Sequence, residues 1–285
     1  MLSIGIVGAE NSHCISVAKF CNVEKLSDAR VTHIWGETPE FAAKAAEAGQ
    51  IPNVVADWKE LLGKVDGIMI DHRHAKPHYE VAKFFISKGV PCFVDKPFTF
   101  TLKEAKSLSK LAKKKKVALT SFSIVPEQNN FKVNLAKVQA ELGQLSHFIS
   151  TGPVGFKSPY GGIFFYAVHQ VDAAIVAAGM AVRKVMCKPN VKGGAAVLLF
   201  DNDVTVTMNF IENGHHGFHF AACGSKGYHA WTHQYDQPSP YTLFIDMFRT
   251  GVEPIAHERF ITTIAVLEAM TKSLKTGAWV KVAKV

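Results

Sequence analysis

The chain has 285 residues, 48% of them apolar, which is enough to bury roughly three quarters of its unfolded surface as one large domain or two modest ones. No apolar run approaches the ~18 residues of a membrane span, and the N-terminus opens on a strand pattern rather than a signal core, so a cytoplasmic protein is expected. The balance of 32 basic against 24 acidic residues gives +8, and the five cysteines are odd in number and widely spaced, without a C-x-x-C pair, which argues against a disulfide framework or a thiolate zinc site.

Ser3 to Gly8 reads as a buried strand entering a glycine turn, Ser12 to Phe20 as a helix, Arg30 to Trp35 as a strand, and Pro39 to Ala48 as a helix ending at Gly49. The alternation continues with a strand at Asp66 to Ile70, a helix at His78 to Ser87, and a strand at Val90 to Val94. A helix at Leu102 to Lys115 and a strand at Val117 to Phe122 complete it. Thr101-x-x-Glu104 has the form of a capping box for that last helix. Lys113 to Lys116, the densest positive charge, oppose the negative end of its dipole; without interleaved aromatic residues or a groove-reading motif they do not point to nucleic acid. Such alternation predicts a parallel sheet with right-handed crossovers, a Rossmann-like domain over residues 1–122.

Residues 123–285 follow a different grammar. A helix at Glu127 to Leu142 turns at Gly143, and a helix at His169 to Ala178 sits within strand-rich sequence. Ala196 to Phe200 and Val204 to Phe210 flank Asp201-Asn202-Asp203 as a hairpin, and a helix at Ile261 to Leu274 precedes Gly277 and a short strand. The expected fold class is α/β, with a second, α+β domain packed closely against the first.

The strand Val90 to Val94 delivers Asp95 and Lys96 to its carboxyl end and stops at Pro97, which cannot continue the ladder. Ligands of open α/β sheets sit at that edge, so Lys96 is a catalytic candidate, although a lysine there is also ordinary solvated charge. Asp71-His72-Arg73-His74 ends the preceding strand, and with His78 and His13 it supplies residue types that suit zinc. Alternating strand residues face opposite ways, however, and no metal is expected.

The ordered set Gly5-Ile6-Val7-Gly8, Val65 to Ile70 followed by His78, Asp95-Lys96-Pro97, Leu142-Gly143-Gln144-Leu145, Gly161-Gly162 leading to His169-x-x-Asp172, and Ser273-x-x-x-Gly277-x-x-Val280 resembles the glucose-fructose oxidoreductase and inositol dehydrogenase (Gfo/Idh/MocA) family. The resemblance implies hydride transfer between a nicotinamide cofactor and a sugar, polyol or related hydroxy compound. It also implies an open, mostly antiparallel mixed sheet in the second domain and a homo-oligomer, dimer or tetramer. Lys96 matches the lysine that hydrogen-bonds the reacting oxygen, and His169 the acid/base histidine. Cofactor contacts fall on Gly8, Ala9, Glu10, Asn11, Ser12, His13, Glu37, His72, Arg73, His78, Asp95 and Lys96.

The chain departs from the family pattern at three places. In the G-x-G-x-x-G fingerprint that starts at Gly8, Glu10 stands at the second glycine and His13 at the third. A carboxylate at position 10 repels a pyrophosphate unless it turns away or contacts the ribose. The acidic ribose reader falls on Gly36, with Glu37 one residue later, and no arginine follows to bind a 2′-phosphate, so NAD is expected over NADP. The family's aspartate four residues before the histidine is Phe165 here, with Tyr166 beside it as a proton relay or an aromatic wall. These departures sustain a rival reading, a non-catalytic or cofactor-free ligand-binding protein on the same fold.

Overall fold

A computed structural model describes residues 1–236 and 240–285. Its first half alternates β1 (Ser3–Val7), α1 (His13–Ala18), β2 (Arg30–Trp35), α2 (Pro39–Gly49), β3 (Asn53–Val54), β4 (Gly67–Ile70), α3 (His78–Ser87), β5 (Cys92–Val94), α4 (Leu102–Lys115) and β6 (Leu119–Thr120). The six strands form a parallel sheet in the order β3-β2-β1-β4-β5-β6. Strands β4 and β5 are buried along their length, which explains why their apolar residues run on without the alternation of a one-sided sheet. At the carboxyl edge the ladder carries on for one more residue: Gly8 N–H donates to Trp35 O at 3.0 Å, Asp71 N–H to Val7 O at 2.8 Å, and Asp95 N–H to Ile70 O at 2.8 Å. Those three residues therefore stand in a row at the edge where ligands bind in such sheets.

One expected helix end shifts in its chemistry. The left-handed residue after α2 is Gln50, at φ 50°, and Gly49 is still helical. A Cβ at Gly49 would collide with Ala18, so close packing of α1 on α2 is what demands glycine there.

The chain continues as α5 (Ile124–Glu127), α6 (Asn129–Glu141), β7 (Leu145–Pro153), α7 (Phe164–Ala178), β8 (Val182–Asn190), β9 (Gly193–Phe200), β10 (Thr205–Ile211), β11 (His219–Gly224), β12 (Gly227–Thr232), α8 (Tyr241–Thr250), α9 (His257–Thr276) and β13 (Val280–Lys281). A seven-stranded sheet runs in the order β12-β11-β7-β10-β9-β8-β13, with β7 and β10 parallel and the other neighbours antiparallel. The mixed, mostly antiparallel second sheet and the parallel first sheet are the expected α/β class. The single helix expected from Glu127 is instead broken, because Gln128 is extended between α5 and α6. Helix α7 begins at Phe164, five residues before the expected start; burial of Phe164 and Phe165 outweighs the modest helix propensity of aromatic residues. On the inner face of this sheet Phe148, Phe220 and Trp231 meet Phe131 of α6 at ring separations of 5.1 to 6.5 Å.

The chain divides into two compact units whose main boundary falls between Ser121 and Phe122, with two segments exchanged across it. The first comprises residues 1–99, 103–121 and 241–257, and the second 100–102, 122–240 and 258–285. The segment 241–257 returns to the first unit because Phe244 stacks on Phe93 with centroids 4.3 Å apart and planes 5° from parallel. In addition, Glu253 accepts from Leu119 N–H at 2.9 Å, and Ser109 Oγ lies 2.7 Å from His257 Nδ1. Gly67 is bare where Phe248 packs, since any Cβ would enter that ring. Among the described residues no helix is long and apolar enough to cross a membrane.

Two stability effects follow. Phe244→Ala removes a fully buried ring and should cost about 3–5 kcal/mol in denaturant unfolding of the first unit; a loss below about 1 kcal/mol would mean that 241–257 contributes little there. In the second unit His233 is buried and neither ring nitrogen has a partner among the described residues. Burial pushes its pKa from 6.5 down to about 4, against a smaller opposing pull from Asp236. The unfolded chain therefore binds this proton more readily, and stability falls as pH drops from 6.5 toward 4. His233→Phe should widen its stability relative to the wild type by about 2 kcal/mol between pH ~8 and pH ~5; a gap independent of pH in urea titrations would contradict the assignment.

Candidate functional site

At the carboxyl edge of the parallel sheet the chain turns through Gly8, at φ 111°, into α1. The backbone N–H groups of Ala9 and Glu10 both donate to Glu37 Oε2, at 2.8 and 3.0 Å. The other carboxylate oxygen, Oε1, is buried and has no hydrogen-bond partner among the described residues. The acidic group stands at 37 and not at 36 for a steric reason: a Cβ on Gly36 would come within 2.9 Å of Ala9 Cβ and 2.8 Å of Ala42 N. The site thus moves its acid one residue along and keeps it on the glycine-turn loop. Ser12 is exposed and leads into α1 without a side-chain cap.

Behind the loop, Asp71 and Asp95 are almost wholly buried. Asp71 accepts from Cys14 N–H, in the first turn of α1, at 2.7 Å and from Asn11 Nδ2 at 3.0 Å. The same Asn11 amide donates to Asp95 Oδ2 at 3.2 Å, where His13 Nδ1 lies at 3.1 Å and Lys96 Nζ at 4.0 Å. Burial, and then the charge of Asp95, raise the pKa of Asp71 well above the usual carboxylate range. Burial alone would raise Asp95 too, but attraction to His13 and Lys96 and the hydrogen bond from His13 overcome it and push that group down to about 2. Asp71 thus gives up its proton less readily than an ordinary carboxyl, and Asp95, beside the buried Lys96, more readily. His13 accordingly occupies the fingerprint's third glycine position as a partner for Asp95.

The histidines after β4 do not gather as a metal set. His78 is wholly buried, with Nδ1 3.0 Å from Pro97 O and Nε2 3.0 Å from His72 O, so both nitrogens face carbonyls. Burial lowers its pKa against those hydrogen bonds. His72 is pushed down to about 3 by burial and by His78, its ring lies 5.9 Å from Trp35, and its Nδ1 is without a partner among the described residues. Arg73 is half-buried in the same turn. The ligand-type atoms that do converge are those of His13, Asp71 and Asp95, within 4.8 Å of one another, and the Asn11 amide already points at both carboxylates.

In the second unit His169 is buried on α7, with Nδ1 2.7 Å from Ser123 Oγ. Ser123 N–H donates to Asp172 Oδ2 at 3.0 Å. Arg259 clasps Asp172 through Nε and Nη2, at 2.8 and 2.9 Å, and reaches Glu127 through Nη1 at 2.6 Å. The Phe218 ring lies 5.5 Å from His169, and Phe165, at the position of the family's aspartate, is buried against Tyr160 and Tyr166. Ser123, Arg259 and Glu127 were not singled out in the sequence. The available signal was Asp172 itself, the one charged residue in the apolar helix Phe164–Ala178, which required a buried cation somewhere.

Residues 2–122 match the Gfo/Idh/MocA model, described as an oxidoreductase family with an NAD-binding Rossmann fold. The oxidoreductase YhhX of Escherichia coli (strain K12) is 31% identical over 130 residues, 42% of this chain and 38% of YhhX, so the match spans well under half of that relative. Among solved structures, GenD2 from gentamicin A biosynthesis, in complex with NAD, superposes at a TM-score of 0.88 with 14% identity, covering 99% of this chain and 96% of its own. The myo-inositol dehydrogenase of Corynebacterium glutamicum does so at 0.82 with 18% identity over the whole of both chains. At such identities the likeness speaks for the fold, and the sequence match speaks for the first unit. Residues 2–122 are therefore similar to the NAD-binding Rossmann fold of the Gfo/Idh/MocA oxidoreductase family.

Proposed function

We propose that the protein is an NAD-dependent oxidoreductase that acts on the CH–OH group of a sugar, polyol or related compound. The observation that carries this reading is Glu37: one oxygen holds the loop amides and the other is buried without a partner among the described residues, the arrangement a ribose hydroxyl would complete. Around it, Gly8 to His13, His72, Arg73 and Asp95 are the residues we assign to the dinucleotide, while His78, wholly buried with both nitrogens on the Pro97 and His72 carbonyls, holds that turn from behind and not the cofactor the sequence suggested. Bound there, NAD supplies the hydride acceptor. Lys96, 4.0 Å from Asp95 and buried, is assigned to steady the alkoxide oxygen, and His169 to exchange the hydroxyl proton. The substrate class rests on relatives such as the myo-inositol dehydrogenase. We also assign self-association to the outer face of the second sheet. A groove of about 430 Å³ there is lined by Ile149, Thr151, Ala221, Tyr228 and Thr232.

Cofactor choice tests Glu37 directly. A 2′-phosphate beside this carboxylate meets a repulsion of about 4 kcal/mol per charge pair at 4 Å and an effective dielectric near 20, and about half that with partial screening. Calorimetry should show NAD binding at least ~30-fold more tightly than NADP, with Glu37→Ser weakening NAD and erasing most of the preference. Equal affinities in the wild type would refute the role of Glu37, and no binding of either at millimolar concentration would favour the cofactor-free reading. For the chemical step, Lys96→Met should lower kcat by about 1000-fold or more while NAD affinity stays within a few fold. Unchanged turnover would remove Lys96 from the reaction.

A further inference from the structure

We propose that Ser123 is a positioning residue for His169, holding the imidazole by Nδ1 so that Nε2 is the nitrogen presented to a reacting oxygen. This deepens, and rests on, the reading of His169 as the proton-exchanging group. His169 and Asp172 lie three residues apart on α7 and so share one face of the helix. Ser123 grips that face twice, its hydroxyl 2.7 Å from His169 Nδ1 and its N–H 3.0 Å from Asp172 Oδ2. The grip is stiff, because Arg259 fixes Asp172 with two bonds at 2.8 and 2.9 Å and is itself tied to Glu127 at 2.6 Å. Lys132 meets the other oxygen of Glu127 at 2.8 Å. A pair of bonds from one guanidinium to one carboxylate fixes angle as well as distance.

The choice of a hydroxyl has a chemical consequence. Val125 N–H donates to Ser123 Oγ at 3.1 Å and occupies one of its lone pairs, leaving the hydroxyl hydrogen and a second lone pair for the ring. The hydroxyl donates to Nδ1 when that nitrogen is bare and accepts from it when it carries hydrogen. The bond therefore survives each protonation state through which an acid/base histidine passes. A carboxylate in that place would only accept, and would bias the ring toward its charged form. Ser123 holds the ring in place without fixing its charge.

The test uses the full-length protein labelled with ¹⁵N-histidine, without added ligand, and follows ring nitrogen shifts through a pH titration. Ser123→Ala should move the His169 Nδ1 resonance in both the neutral and the protonated ring, while the His233 resonances stay in place. Ser123→Thr, which keeps the hydroxyl, should retain the wild-type pattern. With myo-inositol and NAD as the probe pair, Ser123→Ala should lower kcat by roughly 10–100-fold and leave NAD affinity within about two-fold. Unaltered His169 resonances in Ser123→Ala would overturn the proposal, as would an unaltered kcat. Should the wild type bind no NAD, the oxidoreductase reading falls, and the nitrogen shifts still decide the role of Ser123.

Discussion

Two carboxyl groups, Asp71 and Asp95, lie buried side by side at the carboxyl edge of the parallel sheet, and the first unit is arranged around keeping them there. Adjacent carboxylates in a low-dielectric interior cannot both ionise cheaply. Burial and the neighbouring charge raise the pKa of Asp71, while His13, Lys96 and the Asn11 amide surround Asp95 and favour its ionised form. The start of α1 and the ends of β4 and β5 are tied together by that one cluster, since Asn11 bridges both acids and Cys14 N–H closes on Asp71. Lys96 is consequently held beside an ionised partner in a place where little water reaches it.

Seen this way, the broken glycine fingerprint is a coherent set of replacements. A glycine at position 13 could not reach Asp95, whereas His13 does, at 3.1 Å. A Cβ at position 36 would press on Ala9 and Ala42, so the acid sits at 37 and holds the loop from there. Each substitution departs from the sequence motif and makes a contact of its own within the loop cluster. Glu10 takes part through its backbone N–H, donated to Glu37, which is a contact independent of residue type.

What the sequence made legible was local. The strand Arg30–Trp35 and the helices His78–Ser87 and Leu102–Lys115 have the bounds their periodicity predicts, because apolar spacing and nearby glycines set them. Lys96 was legible from a strand that stops at proline. The contacts that escaped are long-range ones between residues of unremarkable type. Phe244 leaves the second half of the chain to stack on Phe93, and Arg259 crosses from α9 to Asp172. No period or spacing encodes such pairings; only the demand of a buried charge or a buried ring for a partner hints at them. Ser123 was hidden for the same reason, since a serine before a short helix reads as a cap, and it is one as well.

Cofactor binding turns in this proposal on a single oxygen, Glu37 Oε1, buried and without a partner among the described residues. A crystal structure of the protein grown with NADH tests it most directly. The account predicts a ribose hydroxyl within hydrogen-bond reach of that oxygen, with Oε2 still accepting from Ala9 and Glu10. A dinucleotide bound with its ribose turned elsewhere and Glu37 Oε1 still unpaired would contradict it.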